Sequence, residues 1–216
     1  MKVDLDRYFA LLSYQRSGTN MVGWAVETHP DMTYADEVFH RDNYANPSTL
    51  SAVLDTLATG ARPPSRHGPA VPYNDEMAKR ILVDVKYNQV NSAVKRFVRS
   101  VPIIELVRQD DEKHFHSFVL RRFWSRNPVL RAKRELPNEL PFDDASYAAF
   151  RKRKAAYLQA WKGWADVTLY YEDLCNDEEI DILPEPAGRA ICELAGVEYV
   201  PLTVPTRKSA AEGVLW

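Results

Sequence analysis

The feature that most narrows what this chain can fold into lies near its start. An apolar run, Tyr8-Phe9-Ala10-Leu11-Leu12-Ser13-Tyr14, breaks into a polar turn containing one glycine, and the turn leads directly into a helical pattern. The run is short and aromatic-rich, as in a buried strand. The turn is Gln15-Arg16-Ser17-Gly18-Thr19-Asn20. After it Met21, Val22, Trp24 and Ala25 fall at helical spacing, and the pattern stops at His29-Pro30, because the residue before a proline avoids helical angles.

The same alternation continues. Ile81 to Tyr87, Pro102 to Val107 and Val167 to Tyr171 read as further strands. Asp111 to Arg122 reads as a helix, and Asp143 or Asp144 as the N-cap of another reaching about Trp164, with Tyr147, Phe150, Tyr157, Leu158, Trp161 and Trp164 along its apolar stripe. A last helix spans about Ala187 to Ala195 and stops at Gly196. Strands alternating with helices predict an α/β fold: a single domain over residues 1–216, with a central, mainly parallel sheet of four or five strands flanked by helices. In such sheets ligands bind beyond the carboxyl ends of the strands, where the first turn and Arg108 fall. The proline-rich stretch from Ala61 to Pro72 reads as an exposed loop or flap.

Composition excludes more than it selects. A net charge of −2 gives no global basic field for nucleic acid or an anionic membrane. No apolar run is long enough to span a bilayer, and the charged N-terminus lacks a signal-peptide core, so the chain reads as cytoplasmic. Two cysteines, Cys175 and Cys192, make no disulfide framework, and no His/Cys or carboxylate set has metal-ligand spacing. No metal is expected. Oligomeric state is not legible.

A turn between a strand and a helix presents backbone N–H groups at the positive end of the helix dipole, which suits a phosphate or sulfate. Gly18 permits close approach, Ser17, Thr19 and Asn20 add side-chain donors, and Arg16 adds a fixed charge. The plainer alternative is an ordinary N-cap, with a hydroxyl satisfying the helix start. A nucleotide triphosphatase loop needs a Gly-Lys-Ser/Thr ending, which this turn lacks.

Gln15-Arg16-Ser17-Gly18-Thr19-Asn20-Met21 resembles the 5′-phosphosulfate-binding loop of sulfotransferases that use 3′-phosphoadenosine 5′-phosphosulfate (PAPS), and its Gln-Arg-Ser-Gly form resembles the bacterial carbohydrate sulfotransferases of the trehalose and nodulation-factor type. Other segments follow in matching order: His29-Pro30-Asp31 with Asp36-Glu37-Val38-Phe39, then Lys86-Tyr87-Asn88-Gln89, Arg108 with Ser117, and Trp161, Trp164 and Tyr171-Glu172-Asp173-Leu174. The resemblance implies a P-loop-like sulfotransferase fold, PAPS as donor with PAP as product, and an acceptor hydroxyl on a carbohydrate or glycolipid.

It also implies roles. Glu37 is the candidate general base, with His40 the alternative on the same stretch. Arg16, Ser17, Gly18, Thr19 and Asn20 would hold the phosphosulfate, with Arg16 steadying charge during transfer. Arg108 and Ser117 would grip the 3′-phosphate, although nine positions separate them where the family usually has eight. Arg207 and Lys208 fall where the family has a basic C-terminal loop, and a frayed basic tail is the alternative. The basic stretch from Arg121 to Arg134, and a second from Arg151 to Lys154, read either as solvated helix faces or as surfaces for an anionic acceptor or the cofactor. Two rival functions stay open: a kinase or NTPase with a divergent loop, and a nucleotide-binding module without catalysis.

Overall fold

A computed structural model describes residues 5–35, 37–39, 80–126, 143–175 and 180–205, the side chains of 124–126 excepted. Among these residues five strands form one sheet in the order β2-β3-β1-β4-β5. The strands are β1 (Tyr8–Ser13), β2 (Met32–Tyr34), β3 (Arg80–Lys86), β4 (Ile103–Val107) and β5 (Val167–Tyr170), and every pairing is parallel. The helices are α1 (Thr19–Glu27), α2 (Ser92–Val98), α3 (Asp111–Arg126), α4 (Asp144–Ala160), the single turn α5 (Tyr171–Leu174) and α6 (Glu185–Ala195). The α/β class and the parallel sheet expected from the sequence are both present.

Strand periodicity explains the two-sided core. Tyr8, Ala10 and Leu12 of β1 pack on one face with Val94, Phe97 and Val98 of α2, and with Phe115 of α3 and Phe150 of α4. Phe9 and Leu11 pack on the other with Met21, Val22 and Ala25 of α1 and Ile191 of α6. Phe9 and Leu11 are at most 1% exposed. Each contributes about 2–3 kcal/mol by burial.

Differences from the sequence expectation have local causes. The strand expected over Val167 to Tyr171 is β5 and ends at Tyr170, and Tyr171 opens α5. The long helix begins as expected, with Asp143 accepting hydrogen bonds from the amides of Ala145 (3.2 Å) and Ser146 (3.1 Å). It ends at Ala160 and not at Trp164, because Gly163 takes a left-handed φ of 78° and Trp161 and Trp164 pack ring to ring at 4.3 Å. β2, α2 and the single turn α5 were not foreseen. The Ala61–Pro72 loop lies outside the described residues. No helix among the described residues is long and apolar enough to cross a membrane.

Register brings the strand ends together. Ser13 is opposite Lys86 on β3 and Leu106 on β4, so the carboxyl ends of the three central strands share one edge. The connections leave β1 and β4 toward opposite edges of the sheet, which opens a crevice between them.

Gly23 in α1 faces the ring of Tyr34, and a Cβ there would come within 2.4 Å of it. Tyr34 is buried and its hydroxyl is bonded to Asp84, so the ring cannot shift without losing that bond. Gly23→Ala should therefore destabilise the protein by about 1–3 kcal/mol despite a better helix propensity. Urea denaturation checks this, and an alanine variant as stable as wild type would contradict the packing.

Candidate functional site

The turn after β1 is held in an uncommon shape. Arg16 has φ 69° and Gly18 has φ 89°. A left-handed arginine costs energy and persists only where its surroundings enforce it. Three contacts do so. Ser17 Oγ donates to the Tyr14 carbonyl at 2.8 Å. His114 of α3 donates from Nε2 to the Gln15 carbonyl at 2.7 Å. Tyr171 lies so close to Gly18 that a Cβ would sit 2.6 Å from its ring.

Neither hydroxyl of the turn caps α1. Ser17 is turned to Tyr14, Thr19 Oγ1 accepts from Lys86 Nζ, and Gly18 at the N-cap has no side chain to offer. The N-cap reading of this turn is therefore set aside.

Charge gathers around the uncapped end. Burial pushes the Arg16 guanidinium down to about 10, and the neighbouring Arg121 and Arg108 push the same way, while Glu37 and Tyr171 oppose them. Arg16 stays charged at neutral pH, and its Nε is buried without a hydrogen-bond partner. Arg108 at the end of β4 and Arg121 of α3 thus both act on the arginine of the turn. Arg108 is 6% exposed and stacks over the Tyr171 ring at 4.3 Å. Glu172 accepts from the amides of Gln109 and Asp110 at 3.0 and 3.1 Å, which fixes the loop behind Arg108.

The acidic residues after Arg108 are otherwise engaged. Asp111 accepts from Lys154 Nζ at 2.5 Å and from Arg151 Nε at 3.2 Å, and this pulls its carboxyl below the usual range against the effect of burial. Asp110 Oδ1 accepts from the Lys113 amide at 2.9 Å. Beside Arg108 a cleft of about 500 Å³ opens between Val107, Arg108 and Gln109 and the basic residues Arg151, Lys152 and Lys154 of α4. That volume falls within the range of small-molecule sites.

Glu37 reaches the same edge. Its Oε2 accepts from Gln89 Nε2 at 2.9 Å, and its Oε1 lies 3.8 Å from Lys86 Nζ. Ser117 is partly buried on α3, three residues after His114 and four before Arg121, so it shares their helix face. Asn20 is partly buried in the first turn of α1. His40, Arg207 and Lys208 lie outside the described residues.

Sequence reasoning missed three contributors. Lys86 was read as part of a strand end, yet its ammonium lies at the base of the turn. The signal was present: Leu82, Asp84 and Lys86 share one face of β3, so two ionic residues point where apolar ones belong. Arg121 was visible only as one charge in a basic stretch. His114 carried no signal of its own. Among the described residues no group of three or more His, Cys, Asp or Glu is placed to hold a metal ion.

No family model matches the chain, and no curated protein matches it. Among solved structures it is similar to mouse sulfotransferase SULT7A1 complexed with PAP, at 16% identity and a TM-score of 0.46. The alignment covers 95% of this chain and 62% of the mouse chain, so this chain spans less than two thirds of that protein's length.

His114 makes the turn sensitive to acid. It is fully buried, and burial pushes its pKa down to about 3, with Lys154 and Arg108 acting in the same direction. A depressed pKa gives stability that is complete above the unfolded value of 6.5 and is lost as pH falls toward 3. The loss is about 1.4 kcal/mol per pH unit, or ~2 kcal/mol at pH 5. Asp84, pushed up to about 6 chiefly by burial, works in the opposite sense, since its contribution is lost as pH rises. Subtracting the variant isolates the histidine: His114→Gln should lack the acid loss while wild type shows it in urea denaturation at pH 7.5 and pH 5. Equal losses in both proteins would contradict the assignment.

Proposed function

We propose that this protein is a PAPS-dependent sulfotransferase acting on a hydroxyl, with carbohydrates or glycolipids as the acceptor class. The observation that carries the reading is the buried Arg16, its Nε without a hydrogen-bond partner, in the turn before a helix start that no side chain caps. That nitrogen fits an anionic ligand. The ordered sequence resemblance to PAPS-dependent sulfotransferases supplies the kind of anion.

PAPS would bring the activated sulfuryl group, whose bond to the 5′-phosphate oxygen breaks as the acceptor oxygen bonds to sulfur. The chain's own residues do the rest. The amides of the first turn of α1, with Ser17, Gly18, Thr19 and Asn20 shaping it, bind the phosphosulfate. Arg16 steadies the negative charge that grows on the leaving phosphate oxygens. Arg108 and Ser117 hold the 3′-phosphate, and Arg121 adds charge from the same helix as Ser117. Glu37 takes the acceptor proton, and Gln89 orients it by donating to the oxygen that faces away from Lys86. The cleft beside Arg108 accommodates the remainder of the ligand.

The expected outcome is transfer of radiolabelled sulfuryl from PAPS to at least one member of a carbohydrate acceptor panel, with kcat lowered about 100-fold or more in Glu37→Gln. Full turnover by Glu37→Gln would remove it as the base. Binding of PAP with no turnover on any acceptor would favour a silent nucleotide-binding module.

A further inference from the structure

β3 carries ionic residues on a face where its neighbours carry apolar ones. Asp84 is fully buried and Lys86 is 4% exposed. Asp84 accepts from Lys86 Nζ at 2.8 and 2.6 Å through its two oxygens, and from the Tyr34 hydroxyl at 3.2 Å. The same ammonium donates to Ser13 Oγ at 3.3 Å and to Thr19 Oγ1. Burying two ions costs more than apolar packing of the same volume, so stability alone does not account for this pair.

Its position does. In P-loop phosphoryl-transfer enzymes a magnesium ion is held between a hydroxyl at the start of the loop's helix and an aspartate from another strand. Here Thr19 is the first residue of α1, and Asp84 lies near the end of β3, which pairs directly with β1. Between the hydroxyl and the carboxylate lies the Lys86 ammonium.

We propose that Lys86 is a built-in cation, seated between Thr19 and Asp84 where such enzymes seat a divalent metal, and that Asp84 is the residue that positions it. This rests on the reading of the first turn as an anion site. A tethered ammonium brings one positive charge and three donors with no ion to recruit. Asp84, Thr19 and Ser13 hold it from below and from the sides. The loosest of these contacts, to Ser13, is the one an incoming anion displaces at least cost. The site then takes its anion without metal, and the missing Gly-Lys of the turn is explained by a lysine supplied from a neighbouring strand.

The test uses Mn²⁺ alone, followed by electron paramagnetic resonance. Wild type should show no saturable site. Lys86→Ala opens a cage of Asp84, Thr19, Ser13 and Tyr34 oxygens and should acquire one Mn²⁺ per chain. Adding Asp84→Asn to that variant should abolish it. A folded Lys86→Ala protein that takes up no Mn²⁺, or a wild type that binds Mn²⁺ through Asp84, would overturn the proposal. Removing Lys86 leaves a buried carboxylate without its cation and can prevent folding, so a second readout uses wild type and Asp84→Asn. Wild type should give a slowly exchanging Lys86 ammonium resonance in proton–nitrogen spectra, distinct from that of the equally buried Lys154 and absent from Asp84→Asn. Its absence from wild type would also sink the idea. Neither readout involves a nucleotide, so failure of wild type to bind PAP overturns the proposed function separately.

Discussion

The left-handed backbone at Arg16 is the constraint around which the rest of the site is arranged. An arginine at φ 69° costs about 1–3 kcal/mol, and that strain persists only where the surroundings over-determine it. They do so from three elements: α3 through His114, α5 through Tyr171, and the turn itself through Ser17. The result buries the Arg16 Nε without a hydrogen-bond partner beside the start of α1 and leaves both local hydroxyls committed elsewhere. His114 stays neutral there because burial penalises its charged form more than the bond to the Gln15 carbonyl favours it.

The second organising fact is how the charges are apportioned. Four of the described carboxylates near the site have cationic or amide partners. Asp84 holds Lys86, Asp111 holds Lys154 and Arg151, Glu172 holds the amides behind Arg108, and Glu37 rests on Gln89 and near Lys86. Glu37 raises the Arg16 pKa, but burial, Arg121 and Arg108 together outweigh it. That repulsion on a buried guanidinium is what an anionic ligand would relieve.

Much of this was legible in the sequence. The strand–turn–helix unit at Tyr8 to Glu27 reads from local pattern alone, because a buried strand and an amphipathic helix differ in period and a glycine marks the join. Gly196 closes α6 as expected, at φ 68°. β2 was invisible because three residues carry no period, and its place is set by pairing with β3. α2 was missed because seven residues rich in Val, Lys and Arg have no distinctive stripe, although Asn91 caps them. Among residues of the candidate site, Arg16, Glu37 and Arg108 were singled out by motif and position. Lys86, Arg121 and His114 were not, since their roles come from tertiary approach: a ring reaching a carbonyl 99 residues away leaves no local trace.

The central claim is that the first turn binds the anionic end of PAP. Calorimetric titration with PAP in EDTA, on wild type and on Arg16→Ala, tests it most directly. The account predicts saturable binding to wild type, weakened about 10- to 100-fold in the variant, the loss expected for one charge-assisted contact. No PAP binding to wild type, with ATP taken up only when magnesium is present, would contradict it and move the kinase reading to the front.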